Sequence, residues 1–132
     1  MLQSQQTLKD KFAQIVPKRH VEFLSRLKLS YWYKDLFFVH AGVDPARRLA
    51  DQLEQDLLWI RSEFLNYQND FGATIVHGHT PSDVVEYHSN RVNIDTGAAY
   101  GRKLSAVVFE GDEIFELTPN GRAKINPISG AG

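Results

Sequence analysis

The sequence predicts a mixed α and β domain whose C-terminal sheet is largely antiparallel. Three observations carry that expectation. Helix-period apolar spacing fills the first thirty residues, and it returns only once, near Leu57. Two short, continuously apolar runs, Leu36 to His40 and Ala73 to Val76, bracket that central helix. After Val84 the chain becomes a succession of short β-prone runs separated by turn residues.

Thr7-Leu8-Lys9-Asp10 reads as a helix start, with Thr7 as the cap and Asp10 reaching back. Leu8, Phe12, Ile15 and Val16 then recur at helical spacing. Pro17 interrupts the pattern and opens a second helix, for which Val21, Leu24 and Leu27 form the expected buried stripe with Phe23 beside it. Residues 1–30 are thus expected to be helical scaffold without chemistry. Leu36 to His40 reads as a buried strand ending in the loop His40-Ala41-Gly42-Val43-Asp44-Pro45. Leu49 to Leu65 reads as one central helix with Leu53, Leu57, Ile60 and Phe64 on a single face. Ala73 to Val76 is a second buried strand running into His77-Gly78-His79-Thr80-Pro81. Val84 to Tyr87, Val92 to Ile94, Leu104 to Phe109 and Glu113 to Leu117 follow as strands, so strands dominate 36–118. Asn120-Gly121 is a turn, and 125–132 is expected to be a loose tail. The two buried strands are too apolar to face water, yet the predicted helices cover one side only, so self-association or a covering partner is expected.

At 132 residues the chain has room for one domain with one core. A net charge of -1 and a pI near 6.5 give no electrostatic footprint for nucleic acid or an anionic membrane. Cysteine is absent, which excludes disulfides and thiolate ligands and leaves His, Asp, Glu or Asn for any Mn, Fe, Zn or Mg chemistry. The segment Met1-Leu2-Gln3-Ser4-Gln5-Gln6 is polar overall, without the apolar core of a signal peptide, and no run is long enough to span a bilayer, so a cytoplasmic protein is expected.

The residues that stand out chemically are His40 and His79, each where a strand gives way to a loop and each beside small residues. A strand fixes an imidazole, while glycine lets the backbone approach a ligand closely. His77 lies two residues before His79, so on an extended strand both rings would share a side. His20 and His88 have no such setting and are expected at the surface, while Tyr100 is a minor candidate to approach the pocket. Asp95-Thr96-Gly97 reads as an Asx-type turn.

Four segments then follow in one order: Phe38-Val39-His40-Ala41-Gly42-Val43-Asp44-Pro45, Asp56-Leu57-Leu58-Trp59-Ile60-Arg61, Val76-His77-Gly78-His79-Thr80-Pro81 and Asn93-Ile94-Asp95-Thr96-Gly97-Ala98. The series resembles the C-terminal half of bacterial phosphoprotein phosphatases, relatives of the phage lambda phosphatase and calcineurin, from about Phe12 to about Gly111. The resemblance implies part of a calcineurin-like metallophosphoesterase β-sandwich with flanking helices. It implies that His40 and His79 ligate one ion (Mn, Fe or Zn) of a two-metal centre and that Arg61 contacts phosphate. His77 and Asp95 are then neighbours of the site.

The family's first half carries "GDxHG", "GDxxDRG" and "GNHE" segments, and none occurs here. Those segments supply the ligands of the first metal, the bridging carboxylate, a second arginine and the general acid, for which this chain offers no candidate. The resemblance therefore implies a parent enzyme that hydrolyses phosphoserine or phosphothreonine in proteins, or small phosphoesters, and a chain inactive by itself. A relative that cleaves dinucleoside polyphosphates is the variant of the same chemistry. The alternatives are a truncated remnant and a non-catalytic interaction module, and the expected partners are a separate N-terminal half or a second copy.

Overall fold

The computed structural model describes residues 2–128, with side chains from Thr7 onward. Two helices, α1 (Leu2–Ile15) and α2 (Lys18–Ser25), precede strands β1 (Ser30–Tyr33) and β2 (Leu36–Val39). A 3-10 turn (Leu49–Asp51) and two short helices, α3 (Glu54–Trp59) and α4 (Ser62–Leu65), lead to β3 (Thr74–His77). Then come β4 (Glu86–Tyr87), β5 (Arg91–Asn93), a 3-10 turn (Ala98–Tyr100) and the strands β6 (Val107–Glu110), β7 (Glu113–Thr118) and β8 (Gly121–Ile125).

The strands form two open sheets. One has five strands in the order β1-β2-β3-β5-β4, and the other is the meander β6-β7-β8. Pairing is mostly antiparallel, but β2, β3 and β5 run parallel at the centre of the larger sheet. The register sets Phe37 beside Ile75, and Phe38 beside Val76, which in turn lies beside Val92. Because side chains alternate, these two rows face opposite ways. Phe37 and Ile75 pack with Val43, Leu57 and Phe64 under the α3–α4 segment. Val92 packs with Val85 and Ile114 against the meander, and Phe38 meets Phe109 edge-on at 6.3 Å between ring centroids. The larger sheet is therefore covered on both faces near its centre, one side by helical segments and the other by the smaller sheet.

Several sequence expectations need correction. The central helix of 49–65 is three pieces, because Gln52 turns its side chain back onto the preceding loop. It accepts from Asp44 N–H at 2.7 Å and donates to the carbonyls of Asp44, Arg47 and Arg48 at 3.0, 3.2 and 3.3 Å. At the far end Arg61, with φ -134 and ψ -96, separates α3 from α4. Leu53 is consequently exposed, while Leu57 and Phe64 are buried. The helical stretch stops before Ser30, where β1 begins, and Gly121–Ile125 is a strand, so the tail begins only after it. Ile128 N–H still donates to Tyr87 C=O, and residues 129–132 of the expected tail lie outside the described residues. Thr7 sits inside α1 instead of capping it. His88 is half-buried, 3.5 Å from Glu86, and is not a surface histidine. The largest departure concerns α1 and α2. From Thr7 to Leu29 every residue except Val16 is exposed, so the expected buried stripe of α2 lies in solvent. No helix among the described residues is long and apolar enough to cross a membrane.

Candidate functional site

The carboxyl ends of the three parallel strands bring the singled-out residues to one edge. His40 follows β2, His79 follows β3, and Asp95 follows β5. The two histidine loops are tied directly, since Gly78 N–H donates to His40 C=O at 2.9 Å. Ala41 N–H donates to Leu57 C=O at 2.8 Å, anchoring the first loop to α3. Gly42 is required here by space: a Cβ on it would lie 2.3 Å from Phe64 Cδ1, inside the buried ring.

His40 Nε2 and His79 Nδ1 stand 3.1 Å apart, on the solvent-accessible side of the loops. Two imidazole lone pairs facing at that distance repel unless a proton or a cation lies between them. His79 is held in its neutral form, its pKa lowered first by desolvation and then by the positive fields of Arg61 and His40. Its Nε2 is buried without a hydrogen-bond partner among the described residues, and the neutral tautomer that places the proton there leaves Nδ1 free as a donor of its lone pair. At a metal–nitrogen distance of about 2.1 Å, nitrogens 3.1 Å apart subtend about 95°, within the range of octahedral and distorted tetrahedral centres. The pair therefore fits one shared divalent ion. Among the described residues no third His, Asp or Glu converges on it, so the donor set from this chain is two nitrogens.

His79 reaches this position through an unusual backbone. Its φ is 67°, in the left-handed region that non-glycine residues avoid, and Thr80 N–H closes a three-residue turn onto Gly78 C=O at 2.8 Å. The turn is held from outside by Asn93, whose buried side chain donates to Thr80 C=O at 2.9 Å and accepts from Asp95 N–H at 3.0 Å. Asp95 Oδ1 in turn accepts from Gly97 N–H at 2.9 Å, which is the Asx turn expected from the sequence. Thr96, buried beside it, donates to Lys103 C=O. Strain at a residue held so firmly is a mark of a site where side-chain direction matters.

The same turn breaks the alternation that would have put His77 and His79 side by side. His77 is buried against the edge of Phe64, with Nδ1 3.2 Å from Gly78 C=O and Nε2 3.5 Å from Arg91 Nη1. Burial pushes its pKa down to about 4, so it is neutral and serves the core beneath the site. Arg61, exposed, extends toward the pair and donates to Thr80 Oγ1 at 3.1 Å. Trp59 stands edge-on to His79 at 5.7 Å. An open cleft of about 310 Å³ lies over His40, Gly78, His79 and Asp95, and another of about 410 Å³ runs past Trp59 and Arg61. His20 and Tyr100 are exposed and take no part.

Sequence reasoning missed three contributors: Trp59, Thr80 and Asn93. Trp59 and Thr80 lie in segments already singled out, next to residues assigned roles. Asn93 closes a strand, where a buried side-chain amide is the ordinary device for tying one loop to another. The chain matches no known family profile and has no significant similarity to a characterised protein.

Proposed function

We propose that this chain carries part of the active site of a metal-dependent phosphoesterase, with His40 and His79 holding one divalent ion and Arg61 holding phosphate oxygens. The observation that carries the reading is the 3.1 Å approach of His40 Nε2 and His79 Nδ1, two ring nitrogens from separate loops that converge on one solvent-accessible point. The order of the four segments resembling phosphoprotein phosphatases supports it, and so does the position of Arg61 beside the pair. A bound Mn, Fe or Zn ion supplies Lewis acidity toward a phosphoryl oxygen and lowers the pKa of its water. The protein's part is to orient both rings through the Gly78–His40 backbone bond and to keep His79 neutral by desolvation. Arg61 presents a planar, permanently charged fork that Thr80 steadies, a geometry suited to two phosphate oxygens.

Two imidazoles without a carboxylate hold a divalent ion weakly. The chain alone should therefore bind the ion and phosphate without turnover, and carboxylate ligands from another polypeptide would complete the centre. Calorimetric titration with Mn²⁺ and Zn²⁺, for the wild type and His40→Ala, tests the metal assignment; equal binding by both would refute it. An aryl phosphate assay tests the rest, since Mn-dependent turnover lost in His40→Ala would show that this chain is sufficient.

A second reading is a non-catalytic interaction module. The restriction of the ligand set to two side chains favours it. It predicts a chain that binds neither ion nor phosphate.

A further inference from the structure

Residues 7–29 project as an arm whose apolar side chains meet water: Leu8, Phe12 and Ile15 on α1 are 71%, 64% and 75% exposed, and Phe23 and Leu24 on α2 are 64% and 61% exposed. Among the described residues neither helix packs along another element, and Leu24 and Leu27 only line an open cleft with Phe38, His40 and Leu58. The chain's accessible surface is 9848 Å², against about 7,000 Å² for a compact monomer of this mass. The excess of about 2,800 Å² is several times the roughly 800 Å² that each partner buries in a standard interface. Surface of this extent and character is made for contact with protein.

Charge indicates which protein. Residues 7–29 hold six Lys or Arg and two Asp or Glu, a net of +4, whereas residues 30–132 hold nine and fourteen, a net of -5. Seven of the nine cations in the body are already paired with its own carboxylates: Arg47, Arg48, Arg91, Arg102, Lys103, Arg122 and Lys124. Among the described residues Glu54, Asp56 and Glu63 on α3 and α4 have no ion-pair partner, nor do Asp35, Asp70, Asp95 and Asp112 elsewhere, and Arg61 adds one positive charge between the two helices. The same segment exposes Leu53 at 48% and Trp59 at 67%. A cationic, apolar arm and an anionic face with exposed apolar side chains thus occur on one polypeptide.

We propose that the α1–α2 arm docks on the α3–α4 face of a second copy of this chain, with reciprocal exchange closing a two-fold dimer. Reciprocity uses each arm and each face once, whereas one-way docking would leave an arm free at one end and propagate. The apolar stripe supplies the contact area, and the opposed charges select the partner and orient it. Leu8, Phe12 and Ile15 with Lys9 and Lys11 face Leu53 and Trp59 with Glu54 and Glu63, and because Trp59 and Glu63 line the Arg61 cleft the docked arm competes with the phosphorylated substrate proposed above.

Sedimentation equilibrium of the full chain over a wide concentration range, at low and high salt, tests the proposal. A concentration-dependent dimer is expected, weakening as salt screens the charges. Phe12→Ser with Ile15→Ser should weaken dimerisation by about tenfold or more, and so should the reversal Glu54→Lys with Glu63→Lys. Combining that reversal with Lys9→Glu and Lys11→Glu should recover most of the lost affinity, which a merely disruptive substitution would not allow. All these positions are exposed, so circular dichroism should show an unchanged fold. A wild type that stays monomeric throughout, or variants that dimerise as tightly as it does, would overturn the proposal. Cosedimentation of a monomeric chain with phosphatidylserine vesicles would overturn it too, by assigning the arm to a membrane surface.

Discussion

His40 and His79, 39 residues apart in the chain, meet with Nε2 of one 3.1 Å from Nδ1 of the other. Neither ring is a core residue, so replacing either by alanine should change folding stability by less than about 1 kcal/mol. The effect should fall on the ion instead. At a concentration one hundred times its dissociation constant, a divalent ion bound only by the folded chain adds about 2.7 kcal/mol of stability. Thermal melts with Mn²⁺ or Zn²⁺ should show this increment in the wild type, lose it on adding a chelator, and show none in His79→Ala.

Acid should destabilise the protein through His77. Its pKa is about 4 in the folded chain against 6.5 ordinarily, because burial disfavours the imidazolium. Below 6.5 the unfolded chain takes up a proton that the folded chain refuses. Stability contributed by neutral His77 is therefore complete above about pH 6.5, declines as pH falls, and stops declining near pH 4. The total loss is on the order of 3 kcal/mol. Urea denaturation at several pH values should show this slope, and His77→Gln should flatten it in the same interval.

Gly42→Ala places a methyl group 2.3 Å from Phe64 Cδ1. Overpacking of this kind costs about 1–3 kcal/mol, because a buried ring must leave its rotamer or α4 must shift. Phe64→Leu in the same chain should return part of the loss, and differential scanning calorimetry of the four variants in the cycle measures the coupling.

Gln52→Ala removes the side chain that satisfies one N–H and three C=O groups of the 44–48 loop. The cost should be about 1–3 kcal/mol, since the Asp44 groups are then left partly buried without a partner. Hydrogen exchange should show the loss at the Asp44 amide ahead of the strands.

Arg61→Lys keeps the charge and discards the fork. Phosphate affinity in the presence of Mn²⁺ should fall about tenfold, while stability stays within about 0.5 kcal/mol of the wild type because the side chain is exposed. Calorimetric titration with inorganic phosphate reads the first quantity and chemical denaturation the second. Unchanged affinity would remove Arg61 from the site.

The sequence made the central strands and the histidine loops legible because continuous apolar runs end there in glycine and histidine. The edges of both sheets were harder. β8, Gly121–Ile125, is exposed over four of its five residues, so it carries no apolar alternation to betray it. β1, Ser30–Tyr33, is an aromatic run with three of four residues exposed, lying where helical periodicity had just faded. The false continuity of 49–65 has a different origin. Leu57, Ile60 and Phe64 do point to one core, and no Gly or Pro marks the break at Arg61. Periodicity also told which sides of α1 and α2 are apolar, but nothing in a single chain's pattern says what covers them. At the site, residue identity was readable, whereas the left-handed turn at His79 that separates its ring from His77 was not, since histidine carries no special licence for positive φ comparable to glycine's.

The parallel pairing of β2 with β3 sets Leu36 against Thr74, across nearly forty residues of intervening chain. Contacts that distant in sequence form only after the chain has lost the entropy of closing that loop, so they belong to the later stages of folding. The imidazole pair sits just past that register and cannot exist before it. A divalent ion would then find no template in early folding species, and its effect should appear almost wholly as slower unfolding, with the refolding rate unmoved.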